Sequence, residues 1–246
     1  MKRPEVIFFD FGNTLIHFTG DWEEVKKQSI TRLWKFLQKN NLKIDRSLFF
    51  DEFADRMNNY YVERSEDLIE YTSAAVLSDY LKSLGYHQID SNLLKEAMRV
   101  MYAVSQEFWN LEEDAIALLD WIRANSMRLG VISNASDADD VYLMLNKFSL
   151  MKYFEHVIIS ANFGLRKPSP AIFLEAAALF KVQPAQCMMV GDRLDLDIQG
   201  ANQVSIPSVW ITRRCDPLDI PGMDQIIPDY QIDTLLELIP ILDKMH

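Results

Sequence analysis

Runs of apolar residues that end in a polar residue recur along the chain, and the first lies close to the start. Val6, Ile7, Phe8 and Phe9 are β-branched or aromatic, and Asp10 follows them directly. A short uninterrupted apolar run predicts a strand that is buried on both faces, as in a parallel sheet. Ligands of open α/β sheets bind outside the carboxyl ends of the strands, so Asp10 is a candidate for chemistry there. A turn-forming role is the alternative from this stretch alone.

The stretch from 17 to 110 has the apolar periodicity of helices. The first helix is expected to begin behind Asp21, a candidate N-cap, and its apolar side runs through residues 25–37. The further helices expected in this stretch cover 48–63, 67–84 and 91–108, and we expect no strand among them. This length suffices for a separate domain. We therefore predict a helical cap domain over 17–110, inserted into a domain made of residues 1–16 and 111–246.

From residue 111 the pattern alternates between helix and strand. Strands are expected at 129–132, 157–159, 188–190 and 208–211, and helices at 112–125, 137–148, 170–180, 196–202 and 232–242. This alternation is typical of βαβ units with a parallel sheet. The predicted fold class is α/β, a doubly wound, Rossmann-like parallel sheet core with an inserted all-helical cap domain.

Composition and charge limit the classes of molecule that the protein is expected to bind. The 246 residues include 25 Lys and Arg and 36 Asp and Glu, a formal net charge of −11. A nucleic-acid-binding surface needs a basic stripe, which the pair Arg213-Arg214 is too short to supply, so we expect no nucleic-acid partner. No apolar run approaches the length of a membrane span, and the chain enters a strand too early for a signal peptide. Two cysteines are too few for a disulfide framework, which predicts reduced thiols and a cytoplasmic protein. The oligomeric state is left open between monomer and homodimer.

Four predicted strands end in polar residues, and three of these ends carry groups suited to chemistry. Asp10 and Asp192 would meet at one sheet edge, where two carboxylates repel each other unless a hard cation lies between them. Mg²⁺ fits, because it takes oxygen ligands, binds one or two carboxylates and leaves positions for water and phosphate. Lys167, held extended by the following proline, would add positive charge. Asp197 could orient the metal shell from behind, and Ser133 ends another strand.

Four motifs in order give the chain a resemblance to the haloacid dehalogenase superfamily, in the form with a helical cap after the first strand. The family's first motif, Asp-x-Asp-x-Thr, corresponds here to Asp10-Phe11-Gly12-Asn13-Thr14, and its second, a Ser or Thr at a strand end, corresponds to Ser133. The third motif, a Lys, corresponds to Lys167 before Pro168, and the fourth, Gly-Asp-x4-Asp, corresponds to Gly191-Asp192 to Asp197. Each motif is weak alone, but together they span nearly the whole chain.

The resemblance implies a Mg²⁺-dependent phosphatase of a small phosphorylated metabolite. Asp10 would attack phosphorus to give an aspartyl-phosphate, and Lys167 would neutralise the charge gathered there. The implied metal ligands are Asp10, the backbone carbonyl of Gly12 and Asp192, with Asp197 behind them. The implied phosphoryl-binding groups are Ser133, Asn134 through its backbone, and Lys167.

Position 12 departs from the family pattern, because most phosphatases of this family carry there the Asp that acts as general acid and base. Its loss removes help typically worth about 10²–10⁴-fold in rate. One outcome is a phosphatase for good leaving groups such as acyl or sugar 1-phosphates, since some relatives with the same Asp-x-Gly-Asn start are similar to sugar-1-phosphate phosphatases. Another is a substitute acid, either His17 or an acidic cap residue.

A third outcome of Gly12 is a weakly active or non-catalytic module that binds phosphorylated ligands or partners. A 2-haloacid dehalogenase is a further alternative, but that branch needs no metal and is expected to lack the Gly-Asp-x4-Asp arrangement, which is intact here. The cap usually chooses the substrate in this family, and Tyr60, Tyr61 and Arg64 are candidate pocket residues.

Overall fold

The computed structural model describes residues 2–215 and 225–245. The strands are β1 (Val6–Phe9), β2 (Ile16–Phe18), β3 (Trp109–Leu111), β4 (Arg128–Ser133), β5 (His156–Ile159), β6 (Cys187–Gly191), β7 (Ser208–Ile211) and β8 (Tyr230–Ile232). The helices are α1 (Trp22–Lys39), α2 (Arg46–Leu48), α3 (Ala54–Asp67), α4 (Ser73–Ser83), α5 (Ser91–Tyr102), α6 (Ala115–Ala124), α7 (Ala138–Lys147), α8 (Ser160–Phe163), α9 (Pro170–Phe180), α10 (Gln199–Gln203) and α11 (Leu238–Asp243). Two π-helical turns, Phe49–Phe53 and Leu194–Ile198, lead into α3 and α10.

Within the described residues, six strands form one sheet in the order β5-β4-β1-β6-β7-β8, and every neighbouring pair is parallel. β1 lies in the middle, where Phe9 stands opposite Val131 on β4 and Val190 on β6. The order reverses at β1, since the chain adds strands first on one side and then on the other. This switch point brings the ends of β1, β4 and β6 together at one sheet edge.

The sheet is buried on both faces by two apolar clusters. Successive side chains of a strand point to opposite faces, so Ile7 and Phe9 join one cluster while Val6 and Phe8 join the other. Helices α6, α7 and α11 cover the first face, and α9 and α10 cover the second. The predicted class, a doubly wound α/β sheet of the Rossmann type, is confirmed.

A third apolar cluster lies wholly within residues 30–101 and is built from α1, the first π-helical turn, α3, α4 and α5. Asp21 caps α1 as expected, because its side chain accepts a hydrogen bond from the backbone N–H of Glu24 at 3.0 Å. A two-stranded antiparallel ribbon of β2 and β3 joins this helical segment to the sheet domain, with Phe18 opposite Trp109.

Several element predictions were wrong. The helix expected over 91–108 ends at Tyr102. We expected no strand between 17 and 110, but β2 and β3 extend into both ends of that stretch. The helix expected from 67 begins at Ser73, because the backbone of 68–72 instead contacts the loop before Lys167, with Ile69 bridged to Leu165. The helix expected from 232 follows β8, whose residues pair with β7. No helix in residues 2–215 and 225–245 is long and apolar enough to span a bilayer.

Candidate active site

Three buried carboxylates meet at the sheet edge where the strand order reverses. Asp10 follows β1, Asp192 follows β6, and Asp197 lies in the π-helical turn after β6. One carboxylate oxygen of each lies within 4.8 Å of the others. The sequence predicted that Asp10 and Asp192 converge with Asp197 behind them, and the structure brings the three carboxylates together.

Lys167 joins two of these carboxylates through a fully buried ammonium group. Its Nζ donates to Oδ1 of Asp10 at 2.5 Å, to Oδ1 of Asp197 at 2.6 Å and to the backbone carbonyl of Ile132 at 2.7 Å. Each of the three N–H groups of the ammonium therefore has its own hydrogen-bond acceptor. Burial lowers the pKa of Lys167, but the charges of Asp10 and Asp197 outweigh burial and raise it, so the group stays protonated.

The Asp197 carboxylate is packed directly against the backbone of Gly191. A Cβ added at Gly191 would lie 2.3 Å from Cγ of Asp197, so only glycine permits this approach. The second oxygen of Asp197 accepts the backbone N–H of Arg193 at 3.0 Å. The Asp197 carboxylate is thus held by its packing against Gly191 and by the N–H of Arg193, and its other oxygen orients the ammonium group of Lys167.

Among the residues that the structure describes, the Asp192 carboxylate makes no hydrogen bond or ion pair with a cationic side chain, although Lys167 and Arg193 lie near enough to lower its pKa. Burial, with the nearby charges of Asp10 and Asp197, raises the pKa of Asp192 to about 8. Burial also raises the pKa of Asp197, to about 6, although Lys167 opposes this change. Three buried carboxylates thus lie around one ammonium group, and a divalent cation bound there would favour the ionised form of Asp192.

Ser133 is buried at the end of β4, and Asn134 follows it. The side chain of Asn134 makes two reciprocal hydrogen bonds with the backbone of Lys167. Its Oδ1 accepts the N–H of Lys167 at 2.8 Å, and its Nδ2 donates to the carbonyl of Lys167 at 3.0 Å. The sequence predicted a phosphate-binding role for the backbone at Asn134 and missed the role of its side chain, which positions Lys167.

Gly12 faces an aromatic side chain from the far end of the helical segment. A Cβ at this position would lie 3.5 Å from Cη2 of Trp109, an ordinary van der Waals distance. Trp109 is on β3, 97 positions away in the sequence, so no local signal indicated this contact.

His17 lies on β2, with its Nδ1 3.0 Å from Oε1 of Glu112. Glu112 is buried and also accepts hydrogen bonds from Arg213 and Arg214 at 2.8 Å each. Burial opposes the ionisation of Glu112, but these arginines outweigh it and lower its pKa. His17 therefore lies beside the ion pairs that Glu112 makes with Arg213 and Arg214 at the ribbon, and no contact links it to the three carboxylates within the described part of the chain.

Glu70 is a buried acid of the helical segment that sequence reasoning missed. Its Oε2 accepts the hydroxyl of Ser160 at 2.8 Å and lies 3.7 Å from Nε of Arg166, the residue before Lys167. The hydroxyl of Tyr60 donates to its Oε1. Tyr60, a candidate for the cap pocket, thus contacts the loop near the site through Glu70. The side chains of Tyr61 and Arg64, the other two candidates, lie outside what the structure describes.

The model of one protein family, described as haloacid dehalogenase-like hydrolase, matches residues 4–205. The chain belongs to the haloacid dehalogenase-like hydrolase family. This match covers both the sheet domain with its carboxylates and the helical segment, so the resemblance seen in the four motifs is confirmed, and the chain is a hydrolase.

Relatives within this family are similar to the chain over its full length. It is 27% identical to glyceraldehyde 3-phosphate phosphatase of Pyrococcus furiosus, over 99% of this chain and 95% of that protein. It is 24% identical to N-acylneuraminate-9-phosphatase of Rattus norvegicus, over 100% of this chain and 96% of that protein. Among solved structures, a haloacid dehalogenase-type phosphatase from Thermococcus onnurineus superimposes with a TM-score of 0.63 at 25% identity, covering 100% of this chain and 99% of that one.

Proposed function

We propose that this hydrolase is a Mg²⁺-dependent phosphatase of a small phosphorylated metabolite, with Asp10 as the nucleophile. The observation that carries the proposal is the buried cluster of Asp10, Asp192 and Asp197 with Lys167 at its centre. The full-length relatives are named as phosphatases of phosphorylated sugars or sugar acids, which supports the same reaction class.

The donor set of this cluster suits Mg²⁺. All three acidic groups offer oxygen, and Mg²⁺ in phosphoryl-transfer sites is held by one or two carboxylates, with water and substrate oxygens completing the shell. Lys167 and the N–H of Arg193 occupy both oxygens of Asp197, which leaves Asp10 and Asp192 as the ligands. The backbone carbonyl of Gly12 is the third proposed ligand, because it does not depend on the side chain there. A bound Mg²⁺ would supply the positive charge that draws substrate phosphate to the site and offsets charge in the transition state.

Each of the site residues then has a separate role in phosphoryl transfer. An oxygen of Asp10 attacks phosphorus, the bond from phosphorus to the ester oxygen breaks, and the leaving group departs with the electron pair. Water subsequently cleaves the aspartyl-phosphate and regenerates Asp10. Lys167 orients Asp10 through its hydrogen bond to Oδ1, and Ser133 with the backbone N–H of Asn134 is proposed to hold the phosphoryl oxygens. Positioning and electrostatic stabilisation account for most of the catalysis in such reactions.

We also propose that residues 17–110 act as the cap, closed over the sheet edge in this structure. Buried polar contacts hold the two parts together beside Lys167: Glu70 binds Ser160, the N–H of Glu70 donates to the carbonyl of Gly164 at 3.0 Å, and the N–H of Ser73 donates to the carbonyl of Ser136 at 3.0 Å. Such contacts can be exchanged for water when the cap opens, as substrate entry requires.

The alternatives make different predictions for this cluster. A 2-haloacid dehalogenase would have no use for a metal, whereas Asp192 adds to the cluster a third buried carboxylate, and the hydrogen bonds of Lys167 go to Asp10, Asp197 and the carbonyl of Ile132 instead. A non-catalytic module, suggested by Gly12, would keep ligand binding without turnover.

The cytoplasmic location and the choice between monomer and homodimer stay predictions.

A panel of phosphate esters, assayed with and without Mg²⁺, tests the proposal. The panel includes acyl phosphates, sugar 1-phosphates, glyceraldehyde 3-phosphate and N-acylneuraminate 9-phosphate, and phosphate release is measured for wild type, Asp10→Asn and the exposed control Asp79→Asn. We expect Mg²⁺-dependent turnover in wild type and in the control, and none in Asp10→Asn. Turnover that persists in Asp10→Asn would refute the mechanism. Ester binding without turnover would favour the non-catalytic module, and chloride release from 2-chloro acids would favour the dehalogenase.

A further inference from the structure

Trp109 lies in the space that a side chain at position 12 would enter. Gly12 follows Asp10 by two residues, and its missing Cβ would stand 3.5 Å from Cη2 and 3.9 Å from Cζ3 of the indole. A single methyl group would fit at this distance, but a longer side chain that continued in this direction would collide with the ring. The indole therefore forms the wall of the site beside residue 12.

The indole is fixed by other aromatic rings. Phe18 stands opposite Trp109 on the β2–β3 ribbon and packs edge-on against it, with centroids 5.2 Å apart. Trp22 stacks on Phe18 at 3.7 Å with an interplanar angle of 12°, and its own centroid lies 6.0 Å from that of Trp109. Aromatic pairs in these geometries add stability beyond their buried area, and rotating the indole away would break both of its ring contacts.

The backbone at Gly20 packs closely against these aromatic rings. A Cβ at Gly20 would lie 2.8 Å from ring atoms of both Phe18 and Phe108, so the ring packing requires glycine there. The aromatic cluster of Phe18, Trp22, Phe108 and Trp109 lies at the junction of the ribbon and the first cap helix. To yield to a larger residue at position 12, the indole would have to give up its packing against Phe18 and Trp22.

We propose that Trp109 is a specificity-determining residue, paired with Gly12, that excludes a proton-donating side chain from the leaving-group side of the site and selects substrates with acidic leaving groups. The inference rests on the proposed phosphatase function. When phosphorus bonds to Asp10, the ester oxygen leaves as an anion and must carry its negative charge without a proton. Acyl, enol or phenol-type leaving groups can do so, and simple alcohols cannot do so readily. The indole also offers these groups an apolar surface in place of a carboxylate.

The test measures kcat/KM at fixed Mg²⁺ for 4-nitrophenyl phosphate, phenyl phosphate and an alkyl phosphate, whose leaving groups are successively less acidic. The proteins are wild type, G12D, W109A, the double variant G12D/W109A and its isosteric control G12N/W109A. We expect wild type and G12D to hydrolyse the alkyl phosphate poorly. Only G12D/W109A should hydrolyse it faster, by about 10²-fold over G12N/W109A, the lower end of general acid–base help. Its rate should then depend less steeply on leaving-group acidity.

An equal gain in G12D alone would overturn the proposal, since the indole would not be excluding the acid. No gain of G12D/W109A over G12N/W109A would overturn it as well. The same comparison with Trp109→Leu, which keeps an apolar side chain in the cluster, covers a folding failure of the alanine variants, and thermal unfolding identifies such a failure. Failure of the underlying phosphatase function would differ, because wild type and Asp10→Asn would then have the same activity on 4-nitrophenyl phosphate.

Discussion

Replacing Lys167 with Met tests the electrostatic arrangement at the sheet edge. The substitution keeps the length and most of the volume of the side chain but removes an ammonium group that makes hydrogen bonds to Asp10, Asp197 and the carbonyl of Ile132. Asp197 is 1% exposed and Asp10 8%, so water cannot replace the lost charge at either without rearrangement. The variant therefore leaves two buried carboxylates with no cation between them.

Removing one partner of a buried ion pair costs about 3–5 kcal/mol, chiefly because the remaining charge stays desolvated. For a chain of 150–250 residues each kcal/mol lowers Tm by about 2–4 °C. We therefore expect Lys167→Met to lower Tm by about 6–20 °C in buffer without divalent cations. The double variant Lys167→Met/Asp197→Asn removes one of the two buried carboxylate charges left without a partner, so its Tm should be higher than that of Lys167→Met.

Thermal unfolding followed by circular dichroism measures the effect, with urea unfolding as a check on the free energy. The matched control is Lys82→Met, which breaks an exposed pair with Asp79 and should change stability by no more than about 0.5 kcal/mol. A loss in Lys167→Met no larger than in this control would refute the reasoning. A double variant less stable than the single variant would refute it too.

Three further predictions concern the surroundings of this cluster. Gly191→Ala would place its Cβ 2.3 Å from Cγ of Asp197 and should cost about 1–3 kcal/mol by overpacking; an unchanged urea midpoint would contradict this. Asn134→Ala removes both side-chain hydrogen bonds to the Lys167 backbone and should lower kcat by up to about 10²-fold through misplacement; wild-type kcat would contradict it. Burial raises the pKa of Asp140 to about 6, so the folded protein holds this proton more tightly than the unfolded chain. The contribution of Asp140 to stability should therefore fall as pH rises from about 4 toward 6, so the stability of Asp140→Asn relative to wild type should rise over this range; parallel pH–stability curves would count against it.

The sheet and the convergence of its catalytic candidates were predictable because their signals are local. Each long strand is a run of apolar residues, and Asp10, Ser133 and Asp192 stand at strand ends. Parallel topology then places these ends at one edge, whatever the length of chain between them. Gly191 and Asp197 could likewise be found, because a fixed spacing joins them to Asp192.

The remaining features depend on contacts between distant segments. β2 and β3 have three residues each and pair across 91 positions, so no alternation of side chains indicated them. Nothing in the sequence beside Glu70 indicated its burial, which its contacts with Ser160 and Arg166 explain. Trp109 resembled any core aromatic residue until the fold placed it beside Gly12.

The most direct test of the account is the binding of a divalent ion to the cluster of carboxylates. Mn²⁺ serves as a spectroscopic substitute for Mg²⁺, because both prefer oxygen ligands, and paramagnetic resonance counts the bound ions in wild type, Asp10→Asn, Asp192→Asn and the exposed control Asp79→Asn. We predict that wild type and the control bind one ion at this site and that either active-site substitution abolishes or severely weakens its binding. Binding in Asp192→Asn that equals that of wild type would contradict the joint coordination by Asp10 and Asp192 on which the mechanism depends.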